Sequence, residues 1–249
     1  LASIGVDFWG VDYALLNDAG RLVFPVHAYR DSRSQPGLKR LANTRAALER
    51  IYAATGIPNV FYNSSLHLEE TVANCPAITD LATRCLFLPD YFNYLLSGRM
   101  ENELSIASTS QLLDVHSTDW SQAALKHFRL PAQWFSKPVR AGTTLGRLLP
   151  ALRAELGDAV ESVSDGVAVR EQGLRRGRQV AVEIEVRGNR AHQFGLVLLV
   201  VPHQRRDGLV IERVKLLRLV GEHLEQQLVG AGLLERDHLA GAAELLADR

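Results

Sequence analysis

Chemically active residue types interrupt an apolar run near the start of the chain. The run SIGVDFWGVDYALL occupies residues 3–16 and includes Asp7, Trp9, Gly10 and Asp12. A strand that only filled a core would be apolar at these positions, whereas acids and an indole can bind a polar ligand and glycine permits close approach of the backbone. The pattern predicts either a sheet edge that ends in a binding cleft or a hairpin whose turn happens to contain acids.

Composition argues against several classes of protein. The chain has 249 residues, of which 47% are hydrophobic and 22% charged, and its formal net charge is zero. These values are typical of a soluble globular protein and give no electrostatic case for binding nucleic acid or a membrane. Cys75 and Cys85 are too few for a disulfide scaffold, and no apolar segment approaches the roughly 18–20 residues of a spanning helix. We therefore expect a cytoplasmic protein.

Two features of the chain predict its domain organisation. The first residues already have the pattern of a strand, which predicts a fragment that has lost an N-terminal segment. Phe194 is the only aromatic residue after residue 150, and arginine dominates the basic residues there. We place a boundary between residues 155 and 165, with a partial domain at 1–157 and a second segment at 158–249.

Strand and helix patterns alternate in the first part of the chain. These patterns cover an extended stretch at 21–33 and helical stretches at 37–55, within 56–76 and within 78–100. The last of these helices should end at Gly98, and Ser117, Thr118 or Asp119 should cap the helix that follows. The mixture predicts α/β or α+β architecture.

Several phrases, in a consistent order, carry a resemblance to a known family. They are SIGVDFWGVDYALL (3–16), AYRDSR (28–33), IYAATGI (51–57), LPDYFNYLLSGR (88–99), ASTSQLLD (107–114), DW (119–120) and GTTLGRLLP (142–150). Together they resemble the N-terminal domain of the FGGY carbohydrate kinases and, within that family, the rhamnulokinases. The resemblance implies an α/β fold of the RNase H-like, actin-like ATPase type, here an incomplete half-domain. In that family, sugar and ATP meet in the cleft between two domains.

The resemblance also implies a sugar pocket, for a ketose that is most closely L-rhamnulose. A ketose has polar hydroxyls and apolar C–H faces, so its pocket needs an aromatic platform and fixed hydrogen-bonding groups. Trp9 could be the platform, and Gly10 matches a substrate contact of rhamnulokinases. Asp31 could instead pair with Arg33 at the surface, where such a pair contributes little. The residues implied to line the pocket are Trp9, Gly10, Asp12, Arg30 and Asp31.

Three positions depart from the family pattern. Phe8 stands where the family usually has threonine, His67 where a motif resembling FNTLYQL has glutamine, and Ile106 where a motif resembling YTNAS has asparagine. Polar groups lost from a sugar site leave hydroxyls unpaired and change specificity. The identity of the sugar therefore stays open.

Two motifs that the resemblance leads us to expect are absent from these 249 residues. One is the glycine-rich hairpin that holds the phosphates of ATP, and the other is a Ser-His-Asp motif whose aspartate is the general base. The nearest candidate base, Asp165, lacks the preceding histidine. We therefore assign no catalytic residue. We expect most of the site for the family's ATP and Mg²⁺ to be missing, and this chain to be inactive by itself.

Residues 158–249 match no family that we recognise. They contain strand patterns at 179–188 and 194–202 and a helical pattern at 213–234, and their histidines lack metal-ligand spacing. A reading-frame shift or a gene fusion would explain their composition, and a genuine appended module is the alternative. Three functions therefore compete: a sugar kinase by ancestry, a non-catalytic sugar-binding remnant and an interaction module.

Overall fold

A computed structural model describes residues 3–7, 10–41, 45–156, 163–164, 180–188 and 192–201. The strands within these residues are β1 (Ser3–Asp7), β2 (Tyr13–Leu16), β3 (Arg84–Phe87), β4 (Leu113–Asp114), β5 (Asp119–Trp120), β6 (Thr144–Gly146), β7 (Val163–Ser164), β8 (Val180–Gly188) and β9 (His192–Val201). The α-helices are α1 (Gln35–Leu41), α2 (Arg45–Thr55), α3 (Ser64–Asn74), α4 (Ile78–Leu81), α5 (Leu88–Ser97), α6 (Leu104–Ala107), α7 (Gln122–His127) and α8 (Pro150–Leu156).

The chain divides into two compact units. One comprises Leu1–Phe8, Phe92–Arg99 and Ala141–Arg249, and the other comprises Trp9–Tyr91 and Met100–Arg140. The second unit contains most of the described residues to which the sequence analysis assigned a function.

A sheet with the strand order β6-β7-β1-β9-β8 organises the first unit. Its central strand β1 is parallel to β7 and antiparallel to β9, and Ile4 of β1 is in register with Val163 and Val200. The strand patterns predicted at 179–188 and 194–202 are confirmed by β8 and β9. The helix predicted at 213–234 lies outside the described residues. So do 157–162, and the division at 157/158 therefore stays a prediction.

The short antiparallel pair of β2 and β3 lies in the core of the second unit. Tyr13 is in register with Phe87 and Leu16 with Arg84. All four residues of β2 are buried, as expected for a strand covered on both faces. The largest fully buried side chains around this pair include Leu66, Leu68, Ile78, Leu112, Phe128 and Trp134.

Two helices end where the sequence predicts. Helix α3 ends at Asn74, shortly before Pro76, which cannot continue a helix. Helix α5 ends at Ser97, and Gly98 follows with φ of 76°, the left-handed conformation that commonly closes a helix. Pro89 lies in the first turn of α5, where its missing N–H costs no helical hydrogen bond.

Two local predictions were wrong. The stretch 21–33 is not a strand, because only Leu22 forms a bridge, with Leu16, and a 3₁₀ helix occupies Ser32–Ser34. The cap of α7 is Ser121, whose hydroxyl accepts from Ala124 N, and not a residue of 117–119.

The polar residues 117–119 belong instead to the turn and second strand of the β4–β5 hairpin. Asp114 Oδ1 accepts from the N–H groups of His116 and Ser117, which closes the turn before α7 begins.

Both cysteines are free thiols. Cys85 in β3 is fully buried, and burial raises the pKa of its thiol well above the usual value. Cys75 is half-buried. None of the helices in the described part of the chain is long and apolar enough to cross a membrane.

Candidate functional site

Gly10 is required by the space around it. A Cβ atom added to Gly10 would lie 2.4 Å from Thr109 Oγ1 and 2.9 Å from both Thr109 Cβ and Cγ2. Any side chain would force Thr109 to move, so glycine permits two distant parts of the chain to touch.

Val11 has an unusual backbone conformation. Its φ is 76°, in the left-handed region that a β-branched residue rarely adopts and that costs of order 1–3 kcal/mol. Its carbonyl accepts a hydrogen bond of 2.5 Å from Ser64 Oγ, at the first residue of α3. The turn at residues 10–12 is therefore held by α3.

Asp12, the next residue, is buried. Its residual exposure is 2%, and its backbone carbonyl accepts from Leu88 N at the start of α5. Trp9 lies outside the described residues. Of the predicted site residues in the opening run, Gly10 and Asp12 lie within the described part of the chain.

The predicted residues Arg30 and Asp31 lie in a turn followed by a short helix. Asp31 N donates to Ala28 O, and Asp31 Oδ1 accepts from Arg33 N at 2.9 Å, which caps the helix. His27 Nδ1 lies 3.6 Å from Asp31 Oδ2. Partial burial raises the pKa of Asp31, but the hydrogen bond from Arg33 N–H and the positive charges of Arg33 and His27 lower the pKa overall.

Two tyrosine rings lie at this turn, Tyr29 half-buried and Tyr62 exposed. The Arg30 guanidinium is 5.3 Å from the centroid of the Tyr29 ring, and its Nε donates to Tyr29 Oη. Tyr29 and Tyr62 make an edge contact with centroids 6.4 Å apart, and Tyr62 is 42% exposed. The Arg30 guanidinium and the rings of Tyr29 and Tyr62 therefore form one group, and Asp31 follows Arg30 in the sequence.

The side chain of Arg33 joins this turn to β2 and α3. Its Nε donates to His67 Nδ1 (3.3 Å), Nη1 to Thr71 Oγ1 (3.2 Å) and Nη2 to Tyr13 Oη (3.1 Å). Tyr13 Oη and Thr71 Oγ1 are 2.9 Å apart and also share a hydrogen bond. We call Tyr13, Arg33, His67 and Thr71 the Arg33 cluster.

His67 is neutral within this cluster. Burial lowers the pKa of His67 to about 4, and the Arg33 guanidinium adds to the effect. Because Nδ1 accepts from Arg33, the proton of the neutral ring is on Nε2. His67 is 3% exposed.

The structure thus brings the predicted residues together only in part. Gly10 and Asp12 share one turn, and Arg30 and Asp31 share another. The Arg33 guanidinium binds the hydroxyl of Tyr13, and Tyr13 follows Asp12 in the sequence. The alternative, a pair of Asp31 with the Arg33 side chain, is not the arrangement found, because Asp31 accepts from the Arg33 backbone while the guanidinium binds three other side chains.

Val11, Tyr62 and Thr71 were missed by the sequence analysis. Their types are common in cores and at surfaces, and the contacts that distinguish them span up to 58 positions along the chain. His67 was singled out only as a departure from a motif, and that departure is the available signal of the Arg33 cluster.

Known carbohydrate kinases are similar to this chain in sequence. Residues 1–167 match the model of the FGGY family of carbohydrate kinases, N-terminal domain. The chain is 37% identical over 146 residues to the rhamnulokinase of Yersinia pestis (strain Pestoides F), covering 59% of this chain and 30% of the relative. It is 37% identical over 144 residues to the rhamnulokinase of Klebsiella pneumoniae subsp. pneumoniae, covering 58% and 29%. The chain therefore spans about 30% of the length of these curated relatives.

Solved structures of sugar kinases share the fold. A ligand-bound xylulose kinase from Lactobacillus acidophilus aligns with a TM-score of 0.63 at 15% identity, covering 80% of this chain and 46% of the other. A carbohydrate kinase from Novosphingobium aromaticivorans aligns with a TM-score of 0.58 at 27% identity, covering 73% and 40%.

Proposed function

Because the chain belongs to the FGGY family of carbohydrate kinases, we propose that it supplies part of the sugar site of an ATP-dependent ketose kinase. The proposed sugar is L-rhamnulose, phosphorylated at its 1-hydroxyl, and the similarity to rhamnulokinases supports this choice. Family membership also confirms the predicted fold class, a partial α/β half-domain of the RNase H-like, actin-like type.

The observation that carries the proposal is the connection made by Arg33. Its backbone N–H donates to Asp31 and its guanidinium donates to the hydroxyl of Tyr13, the residue after Asp12. Two short segments that are 18 or more positions apart in the sequence are therefore held by one side chain, as the two sides of a small polar site would be.

The groups on this surface match the chemistry of a ketose. The Asp31 carboxylate accepts hydrogen bonds, and its lowered pKa keeps it ionised at neutral pH. Arg30 is an exposed donor, and the exposed ring of Tyr62 offers a flat apolar face for C–H groups. Gly10 has no side chain, so its backbone N–H and C=O groups can approach the sugar closely.

Asp12 and Trp9 complete the proposed site. The Asp12 side chain is almost completely buried. Its proposed contact is therefore with a sugar hydroxyl that reaches the inner side of the turn. Trp9 remains the proposed aromatic platform, on the strength of its place between the described residues Asp7 and Gly10.

ATP and Mg²⁺ are assigned to no residue of this chain. Within the described residues, no group of three or more His, Cys, Asp or Glu side chains could hold a metal ion. The sequence also contains no glycine-rich segment of the type that holds phosphates. No residue of the chain is therefore given a role in phosphoryl transfer.

A non-catalytic sugar-binding protein is the second candidate function. It is favoured by the sequence that follows GTTLGRLLP, where a Ser-His-Asp motif with its general base is expected and is not found. Both candidates use the same sugar surface, so one binding experiment addresses both.

The test is a titration of the ¹⁵N-labelled 249-residue chain with L-rhamnulose, followed by amide NMR signals. We expect shifts of the Gly10 and Arg30 signals with a dissociation constant of roughly millimolar size, because no closing domain adds desolvation or further contacts. Asp31→Asn preserves the cap acceptor but removes the charge, and it should weaken binding about tenfold.

Asp18→Asn is the matched control, since Asp18 is an exposed acid in the turn after β2. It should bind L-rhamnulose with unchanged affinity. Equal affinity of the Asp31 and Asp18 variants would contradict the proposed site, and an absence of any sugar-dependent shift would contradict the proposed function.

A further inference from the structure

Val11 is a β-branched residue with a strained backbone. Its φ is 76°, a value that such a residue rarely adopts. A valine persists in this conformation only where the surrounding structure imposes it, and such positions cluster at ligand sites. The residues around Val11 must therefore hold it in this conformation.

Two protein donors impose the conformation. Ser64, fully buried at the first residue of α3, donates from Oγ to the Val11 carbonyl at 2.5 Å. Leu88, at the first residue of α5, donates its N–H to the Asp12 carbonyl at 3.1 Å. Consecutive carbonyls are thus fixed by the starts of two different helices.

Three further backbone groups of the turn have no partner within the described part of the chain. Among the hydrogen bonds of the described residues, none uses the N–H of Gly10, the carbonyl of Gly10 or the N–H of Val11. Both residues are partly exposed, and Thr109 packs against Gly10 on the side where a Cβ would stand. Fixing Val11 therefore fixes the orientation of the peptide that joins Gly10 to Val11.

We propose that Val11 and Ser64 are positioning residues of the proposed sugar site. The Ser64 hydroxyl holds Val11 in its left-handed conformation, and this directs the Gly10–Val11 peptide toward a hydroxyl of the ketose. The inference rests on the proposed function, because it specifies how that site is held in place. A group fixed before binding loses less conformational freedom on binding. The fixed peptide therefore binds the sugar more tightly than a mobile one would.

Two adjacent serines of α3 provide the test. Ser64 and Ser65 are both fully buried, and Ser65 Oγ also makes a short hydrogen bond, of 2.6 Å, but to Gln111 Oε1. Ser64→Ala and Ser65→Ala each remove one buried hydroxyl, so their melting temperatures should fall by similar amounts. Only Ser64→Ala should weaken binding of L-rhamnulose in the NMR titration, about tenfold.

A second pair of variants keeps the test decisive if Ser64→Ala does not fold. Val11→Gly removes the strain and the restriction together, so it should fold and bind L-rhamnulose about tenfold more weakly. Thr118→Gly is its control, because Thr118 also has positive φ, of 55°, but lies in the exposed turn of the β4–β5 hairpin. Its affinity should equal that of the unsubstituted chain.

The possible results distinguish the positioning role of Val11 and Ser64 from the proposed binding of L-rhamnulose. Unchanged affinity in Ser64→Ala or Val11→Gly, with L-rhamnulose still bound by the unsubstituted chain, overturns the positioning role and leaves the proposed function standing. A failure of the unsubstituted chain to bind L-rhamnulose overturns the proposed function and the positioning role with it.

Discussion

His67 and Arg33 form a contact that depends on protonation. Charged groups around His67 act in both directions on its pKa, since Arg33 and His27 lower it and Asp31 raises it. Burial adds the largest effect, and the pKa falls to about 4. A protonated His67 would turn an N–H toward the Arg33 guanidinium, where no acceptor would remain. The neutral ring is therefore part of the folded structure.

This arrangement predicts a loss of stability in acid. The ordinary pKa is 6.5 and the folded value about 4, so the unfolded chain takes up the proton first as pH falls. The stabilisation is complete above pH 6.5 and is lost progressively down to about pH 4. Between pH 7 and pH 5 the free energy of unfolding should fall by about 2 kcal/mol through this residue alone.

Urea unfolding of His67→Gln at both pH values checks the prediction. Glutamine can still accept from Arg33 and does not titrate, so the variant should lose much less stability than the unsubstituted chain. His27 and His127 also have lowered pKa values and leave a smaller dependence of the same sign. An identical loss in both proteins would refute the role of His67.

At the scale of the elements, the start of α7 depends on a single side chain. Ser121 Oγ accepts from Ala124 N, and Ser121 is 4% exposed. Ser121→Ala should lower the free energy of unfolding by about 1 kcal/mol, measured by urea denaturation. Ser117→Ala, in the exposed hairpin turn, is the control and should cost less than about 0.5 kcal/mol. Equal effects would place the cap elsewhere.

Local sequence patterns predict helices α3 and α5 with their ends, but not the β4–β5 hairpin or the cap of α7. Helices α3 and α5 follow from amphipathic spacing and from Pro76 and Gly98, which act within one turn of the chain. The β4–β5 hairpin was missed because its turn depends on Asp114, whose carboxylate accepts two N–H groups. Ser117, Thr118 and Asp119 suit a cap and a turn equally well, and the tertiary structure decided between them.

At the scale of the whole molecule, the chain should bind a sugar without phosphorylating it. Removal of a general base alone typically costs a factor of about 10² to 10⁴ in rate, and a missing phosphate site adds to that loss. We expect no ADP formation above the blank when the 249-residue chain is incubated with ATP, Mg²⁺ and L-rhamnulose. A full-length rhamnulokinase is the positive control. Turnover that disappears on substitution of Asp31 would contradict the prediction.

The arrangement of the candidate site residues could not be predicted from the sequence. Gly10, Arg30 and Asp31 were chosen from local residue types and phrases, and their place in a sugar site stays a prediction. That Thr109 closes against Gly10, or that Arg33 reaches Tyr13 and not Asp31, depends on contacts across 20 to 99 positions. No short-range pattern encodes such contacts, and they emerge only from the packed fold.

Chemical modification of the buried Cys85 thiol reports transient opening of the core. Cys85 lies in β3, in register with Leu15 of β2, and its side chain is fully buried. An alkylating reagent can therefore reach the thiol only when β2 and β3 separate. Cys75, half-buried, reacts without such an event and calibrates the reagent in the same sample. The ratio of the two modification rates, read by mass spectrometry of the unsubstituted protein, gives the equilibrium population of molecules whose core is transiently open.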